Sequence, residues 1–399
     1  MLLQFRLLTA VGLVCACAAP AAAQQRPESP QGPQTVSQVV DFLVTNQAVQ
    51  TGDFERDHAA AEAARDSISR ALLVNVTSVP LASSSSGFLY RLNPMLGTME
   101  RTTQTFGSLF VERALTIGEE HASFGMSFLT TGFDQLGDLQ LRDGSLVTTA
   151  NQFRDEATPF DTEALTLRIR SSTVTLFGTY GVTDSFEIGA ALPLIHLTVD
   201  GSRLNVYRTD PFLQASGNAS ATGIGDAALR AKYTIARSPA GAFAAAAEVR
   251  LPTGDEENLL GAGAVAYRFL GIGSFERGRF ALHGNGGVVL GGISDEFNFS
   301  GAGAYAVHPR VTVSGEMLIR RVDELHELEL VAESHPTFAG VDTLRLVQGT
   351  TATTLANAVA GFKWNVNGTL VLGGHIAFPL VRHGLTAPIT PTLAFEYAF

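Results

Sequence analysis

The chain has 399 residues, 45% hydrophobic and only 16% charged, with 40 glycines and 27 Lys+Arg against 38 Asp+Glu for a formal charge of −11. This hydrophobicity excludes a disordered chain, and an acidic balance with no basic block excludes nucleic-acid binding. The only cysteines, Cys15 and Cys17, leave no disulfide framework or thiolate metal site in the rest of the chain.

Residues 1–23 carry one early Arg6, an apolar run from Leu7 to Ala18, a helix-breaking Pro20 and then Ala21-Ala22-Ala23 before Gln24. This is the layout of a cleaved secretory signal peptide, and the apolar run is too short for a membrane-spanning helix. Residues 24–115 lack strand-like alternation. Phe54, Ala61, Ala64, Ile68 and Leu72 repeat at helical spacing, with Asp53 placed as an N-cap, and Ser83 to Gly87 form a link. A helical segment is expected here, either folded as a plug into whatever follows or lying beneath it on the periplasmic side.

From residue 116 the period changes to two. In Asp226 to Ile235, Leu229, Ala231, Tyr233 and Ile235 oppose Asp226, Arg230 and Lys232; in Phe243 to Leu251, apolar residues oppose Glu248 and Arg250. Tyr267 and Phe269 oppose Arg268, Phe280 and Leu282 oppose Arg279 and His283, and Val313 and Met317 oppose Glu316 and Arg320. The chain ends with Leu393, Phe395, Tyr397 and Phe399 alternating with Glu396. The one later stretch long enough to tempt a helical span, Trp364 to Val381, contains Asn367-Gly368 and Pro379 and reads as a hairpin. An exported chain with alternating strands and no spanning helix leaves the closed antiparallel barrel as its membrane architecture, because lipid forces every backbone polar group to be satisfied internally.

Thirteen candidate strands can be marked, but an even count with short periplasmic turns is expected of a bacterial barrel. Short connections at Gly181 to Ser185, Arg237 to Gly241, Gly271 to Gly278, His308 to Arg310 and Val366 to Gly368 alternate with longer ones only if Glu324 to Glu333 belongs to an outer loop spanning Val322 to Ala352. The fold class is therefore all-β, a transmembrane antiparallel barrel of about twelve strands over 116–399, with both termini on the periplasmic side. One strand changes its apolar parity, odd at Leu165, Leu167 and Ile169 and even at Val174, Leu176 and Tyr180, which a bulge at Ser171-Ser172 would reconcile.

This registration turns Arg168, Arg170, Arg230, Lys232, Arg250, Arg268, Arg279, Arg320 and Lys363 into the lumen, against Glu187, Asp226, Glu248, Glu316 and Glu396, with His283 beside them. The lumen is thus expected to be basic inside an acidic protein, giving either a paired charge ladder or a mildly anion-preferring pathway. Chemistry-bearing motifs are missing: there is no nucleophile elbow, phosphate loop or zinc-protease helix, and the histidines are scattered. Gly-x-Gly-x-x-Ala at Gly223, Gly261 and Gly301 opens strands rather than helices and reads as wall packing. His121 with Ser123 is the one pair available to an outer-membrane hydrolase. No cofactor, metal or catalytic residue is assigned. Asp255, Glu256 and Glu257 could together hold a calcium ion or simply form a solvated turn.

The segments GIGDAALRAKY (Gly223 to Tyr233) and LPTGDEENLLGAG (Leu251 to Gly263), with YGVTD at Tyr180 to Asp184 and the aromatic C-terminus, resemble the outer-membrane channel-like family labelled meta-pathway phenol degradation or transporter. The motif loop Pro252, Thr253, Gly254 and Asp255 is the most specific part. The resemblance implies uptake of aromatic or other hydrophobic compounds across a bacterial outer membrane. A more distant similarity to FadL-like channels offers their N-terminal hatch as a pattern for 24–115. Phe399 resembles the C-terminal signature read by the barrel-assembly machinery. Implied partners are outer-membrane lipid, lipopolysaccharide and small hydrophobic solutes. A closed structural or interaction barrel and an outer-membrane hydrolase are the alternative readings.

Overall fold

Twelve wall strands close on themselves in the computed structural model, which describes residues 34–77, 90–93, 98–101 and 103–399. The expected signal peptide, residues 1–23, and the link at 83–87 lie outside the described residues. The wall runs β1 (Ala122–Phe133), β2 (Asp161–Thr183), β3 (Phe186–Tyr207), β4 (Ala228–Arg237), β5 (Gly241–Arg250), β6 (Ala266–Arg277), β7 (Phe280–Gly291), β8 (Glu296–His308), β9 (Val311–Ser334), β10 (Val341–Asn365), β11 (Leu370–Pro379) and β12 (Thr390–Ala398). Each strand pairs antiparallel with its neighbour in sequence, and β12 returns to β1 from Thr392↔Leu129 to Ala398↔Ser123, so the sheet has no free edge at the seam. Among the described residues no helix is long and apolar enough to cross a membrane.

The short connections, such as 184–185 and 278–279, and the chain end at Phe399 share one end, which is the periplasmic one for a barrel of this kind. The expected count of twelve holds, but two details differ. Residues 324–333 are not loop: β9 continues through them and pairs with the upper part of β10, Ser334 meeting Asp342. The glycines from Gly271 are not a turn either. β6 runs on through Gly271 and Gly273, which pair with Gly286 and Gly284, and the turn falls at 278–279.

Alternation sorts the two faces as the sequence pattern requires. Phe124, Met126, Tyr233, Phe243, Phe269, Leu282, Phe299, Met317, Phe362, Ile376, Phe395 and Tyr397 all point outward and are exposed. Such a girdle would be untenable in water and is the expected exterior of a barrel in lipid. Low charge follows, since a charge on that face costs about 2–4 kcal/mol at mid-depth.

No bulge occurs at Ser171-Ser172. The registers of β2 with β1 and with β3 run unbroken from Ser171↔Thr131 and Ser171↔Leu197 into their neighbours. Odd residues of β2 face inward along its whole length. Below, its even residues Val174, Leu176 and Tyr180 meet lipid; above, its odd residues Leu165, Leu167 and Ile169 are buried inside. What changes is the environment and not the strand. The interior partner there is a pair of helices, α1 (Val36–Thr45) and α2 (Phe54–Thr77). Val36, Val39, Val40 and Leu43 of α1 and Ile68 and Leu72 of α2 form one cluster with Leu165, Leu167, Ile169, Leu197 and Val199.

Both helices have sequence causes. Thr35 caps α1 through a capping box with Gln38. In α2, Asp53 accepts from the Arg56 amide at 3.2 Å, as expected of an N-cap, and Ala61, Ala64, Ile68 and Leu72 are buried. Phe54, counted in the same stripe, is instead 68% exposed. The helices fill the outer end, so the first described residues lie by the outer loops and not on the periplasmic side: the Ser37 amide donates to the Glu257 carbonyl at 3.1 Å. Two further strands, 146–153 and 210–224, extend the wall upward beside β2, β10 and β3 where only loops were expected.

Candidate functional site

Residues 103–118 lie inside the periplasmic half of the barrel, and inward side chains from several wall strands grip their backbone. Glu316 on β9 accepts from the amides of Leu109, Phe110 and Val111 at 2.7, 2.9 and 3.0 Å. Glu187 on β3 accepts from Ile117 at 2.8 Å while also pairing with Lys232 at 2.8 Å. Lys232 donates to the Arg113 and Leu115 carbonyls at 3.0 and 3.1 Å, and Lys363 donates to Ser108 at 3.1 Å. Ser274, which also bonds His283 Nδ1 at 2.9 Å, accepts from Ala114. A backbone without secondary structure is satisfied here by side-chain charges, which is how buried peptide groups avoid the desolvation penalty.

Further up, Arg250 pairs with Glu248 at 2.9 Å and donates to the Thr77 carbonyl at the end of α2. Arg320 forks onto Glu296 at 2.7 and 3.0 Å, and Arg230 pairs with Glu112. Arg268 faces the same space across from Glu248, to which its backbone is registered. Glu396 is buried on the inward face of β12.

Three of the expected lumen residues are elsewhere. Arg168 and Arg170 point outward above the lipid belt; Arg168 is 64% exposed and meets Asp200 at 3.5 Å. They were assigned inward because the apolar residues between them were taken for the lipid face. Arg279 sits exposed at the periplasmic turn. Conversely, the inward acids Glu276 and Glu296 and the segment's own Glu112 and Arg113 were missed, with Arg113 bridging to Glu276 at 3.2 Å. The lumen is therefore close to charge-balanced and not basic. Glu296 could have been found, since it heads a strand whose other even positions are inward. Glu112 and Arg113 lie on a stretch with no period to read.

The motif loop is a clasp. Asp226 accepts from Gly254 and Ala262 at 3.1 and 2.7 Å, and the Thr253 hydroxyl donates to Gly225 while accepting from Ala227. The two motif segments thus bind each other. Gly254 and Gly261 pack so closely that a Cβ on either would lie 2.6 Å from the other's Cα. Asp255 accepts from the Asn258 side chain, and Asn258 in turn accepts from the Val36 amide at 3.2 Å, seating α1. These carboxylates serve the loop itself. In the acidic outer loop above β1, the Ser145 hydroxyl and amide hold the Asp143 carboxyl below its usual range. His121 bonds the Glu119 carbonyl at 2.7 Å, and Ser123 is buried in the wall.

A family model described as "Putative MetA-pathway of phenol degradation" matches residues 143–324, which bears out the resemblance over that span. Among solved structures, an outer membrane channel from Pseudomonas putida F1 is similar at 12% identity and TM-score 0.43, covering 72% of this chain and 98% of its own. The CymD monoaromatic hydrocarbon channel is 8% identical, with TM-score 0.36, over 70% of this chain and 89% of its own. The KdgM porin is 6% identical, with TM-score 0.35, over 68% and 99%. No curated protein matches.

Proposed function

We propose that this chain is an outer-membrane channel for diffusion of small hydrophobic or aromatic compounds, exported by residues 1–23, with α1, α2 and residues 103–118 acting as its plug. The observation that carries the reading is a closed, lipid-girdled wall around a lumen in which Glu187, Lys232, Glu316 and Lys363 hold the backbone of the chain's own N-terminal segment. A plug bound through exchangeable hydrogen bonds can shift, whereas a core packed solid with wall side chains cannot. The family match supports the solute class. The reading is of a channel and not an enzyme. Lipid and lipopolysaccharide are its surroundings, and Phe399, 68% exposed at the end of β12, is the feature offered to the assembly machinery.

The test is accumulation of radiolabelled phenol and arabinose by bacteria carrying or lacking the protein, with planar-bilayer conductance measured in parallel. Faster phenol entry with unchanged arabinose entry is expected. Equal phenol entry in both strains would refute the channel. The closed-barrel reading is favoured by the same grip on 103–118, and absence of conductance both in the whole chain and after removal of residues 24–115 would establish it instead.

A further inference from the structure

Two cavities meet in mid-lumen, between the end of α2 and the 103–118 segment, sharing Phe110, Leu318 and Arg320 at their boundary. The first is faced by Arg250, Arg268 and Arg320. Two of these arginines have their own carboxylates: Arg250 has Glu248 at 2.9 Å and Arg320 has Glu296 at 2.7 Å. The other carboxylate lining this cavity besides Glu296, Asp226, is taken by the two amides of the clasp. Arg268 forms no ion pair among the described residues, and its Nε is buried without a hydrogen-bond partner. A recessed guanidinium left this way is costly unless something anionic completes it. The second cavity has a mixed lining, with Phe110, Leu129, Phe133 and Leu355 among polar residues such as Thr131 and Asn357.

A recess lined in part by Phe110 and Phe133, joined to a planar fork whose facing carboxylate, Glu248, is already paired with Arg250, fits a ligand that has a flat ring at one end and a carboxylate at the other. We infer that this chamber is a binding subsite for small aromatic carboxylates, the ring lying against Phe110 and Phe133 and the carboxylate accepting from Arg268. The inference rests on the channel reading and narrows its solutes from aromatic compounds in general to aromatic acids.

Isothermal titration of the full chain in detergent with benzoate, benzyl alcohol and acetate tests it. Saturable benzoate binding is expected, weakened about 10- to 100-fold by Arg268→Gln, as loss of a hydrogen bond to a charged group would do, and weakened less by Arg268→Lys. Benzyl alcohol, which lacks the charge, and acetate, which lacks the ring, should bind far more weakly than benzoate. Unchanged benzoate affinity in Arg268→Gln, or benzyl alcohol or acetate binding as well as benzoate, would overturn the subsite. Conductance of the same preparations separates the two readings: a conducting protein indifferent to the carboxylate loses the subsite and keeps the channel, while benzoate binding without conductance keeps the subsite and removes the channel.

Discussion

Replacing Glu316 with alanine should open the barrel. Its two carboxylate oxygens hold three consecutive amides, those of Leu109, Phe110 and Val111, all within 3.0 Å. A hydrogen bond to a charged acceptor contributes about 1.5–3 kcal/mol. Even at the low end, the three sum to about 4 kcal/mol, which at about 1.4 kcal/mol per tenfold shifts the bound-to-released ratio of this stretch roughly a thousandfold. Phe110 stands at the boundary of both mid-lumen cavities, so releasing it widens the passage between them. Planar-bilayer recordings of Glu316→Ala are therefore expected to show a larger unitary conductance and a longer open fraction than the parent. Glu316→Gln, which keeps one acceptor oxygen, should fall between them. Heat-modifiable migration in gels confirms that each variant is folded. If folded Glu316→Ala gives traces indistinguishable from the parent's, the carboxylate does not hold the segment and the reasoning fails.

Other consequences can be checked separately. Arg203 and Glu163 are both fully buried, and Arg203 also donates to the last carbonyls of α1 at Leu43 and Val44; Arg203→Ala strands a buried carboxylate and should cost about 3–5 kcal/mol, read as earlier proteolysis of α1 and α2, whereas Arg203→Met with Glu163→Leu should cost less. Asp226→Ala leaves two clasp amides without an acceptor, at about 1–3 kcal/mol each, and should raise hydrogen exchange at Gly254 and Ala262 while sparing β11. Gly286→Ala and Gly287→Ala should have opposite signs in urea unfolding. An outward Cβ at Gly286 meets only Phe299 at 3.9 Å and should stabilise by about 0.5–1 kcal/mol, but one at Gly287 would lie 2.0 Å from the Phe269 carbonyl and should destabilise.

How much of this was legible depended on whether a single period ran through a segment. Strands β4, β5 and β7 could be read residue by residue because lipid selects one face over their whole length, and Arg230, Lys232 and Glu248 fall where alternation puts them. In β2 the same logic misplaced Arg168 and Arg170, because above the membrane the apolar face belongs to a helix-filled interior and the polar face to water. Period two reports only that two sides differ, not which is inside. The α1 helix was missed although Thr35, Gln38 and a Val36, Val39, Val40, Leu43 stripe spell it out, since ten residues beside a longer helical pattern drew no separate count. The grip on 103–118 was out of reach for a different reason: its wall partners lie up to 255 positions away, and an extended backbone held by side chains has no periodic signature.

The order of the chain gives that grip a role in assembly. Residues 103–118 are followed directly by β1, and β1 closes the wall against β12, the last strand. The segment can be enclosed only when the first and last strands meet. Were the seam to close without it, Glu187, Lys232, Glu316 and Lys363 would face the lumen with their backbone partners missing, and each hydrogen bond to a charged group so forfeited costs about 1.5–3 kcal/mol. The same residues that resemble a selectivity ring in a list of inward charges therefore favour closure around the chain's own segment. On the proposed channel reading, the barrel begins in its plugged state, and whatever opens it must supply or replace those backbone contacts, with solute, water or an alternative position of the segment.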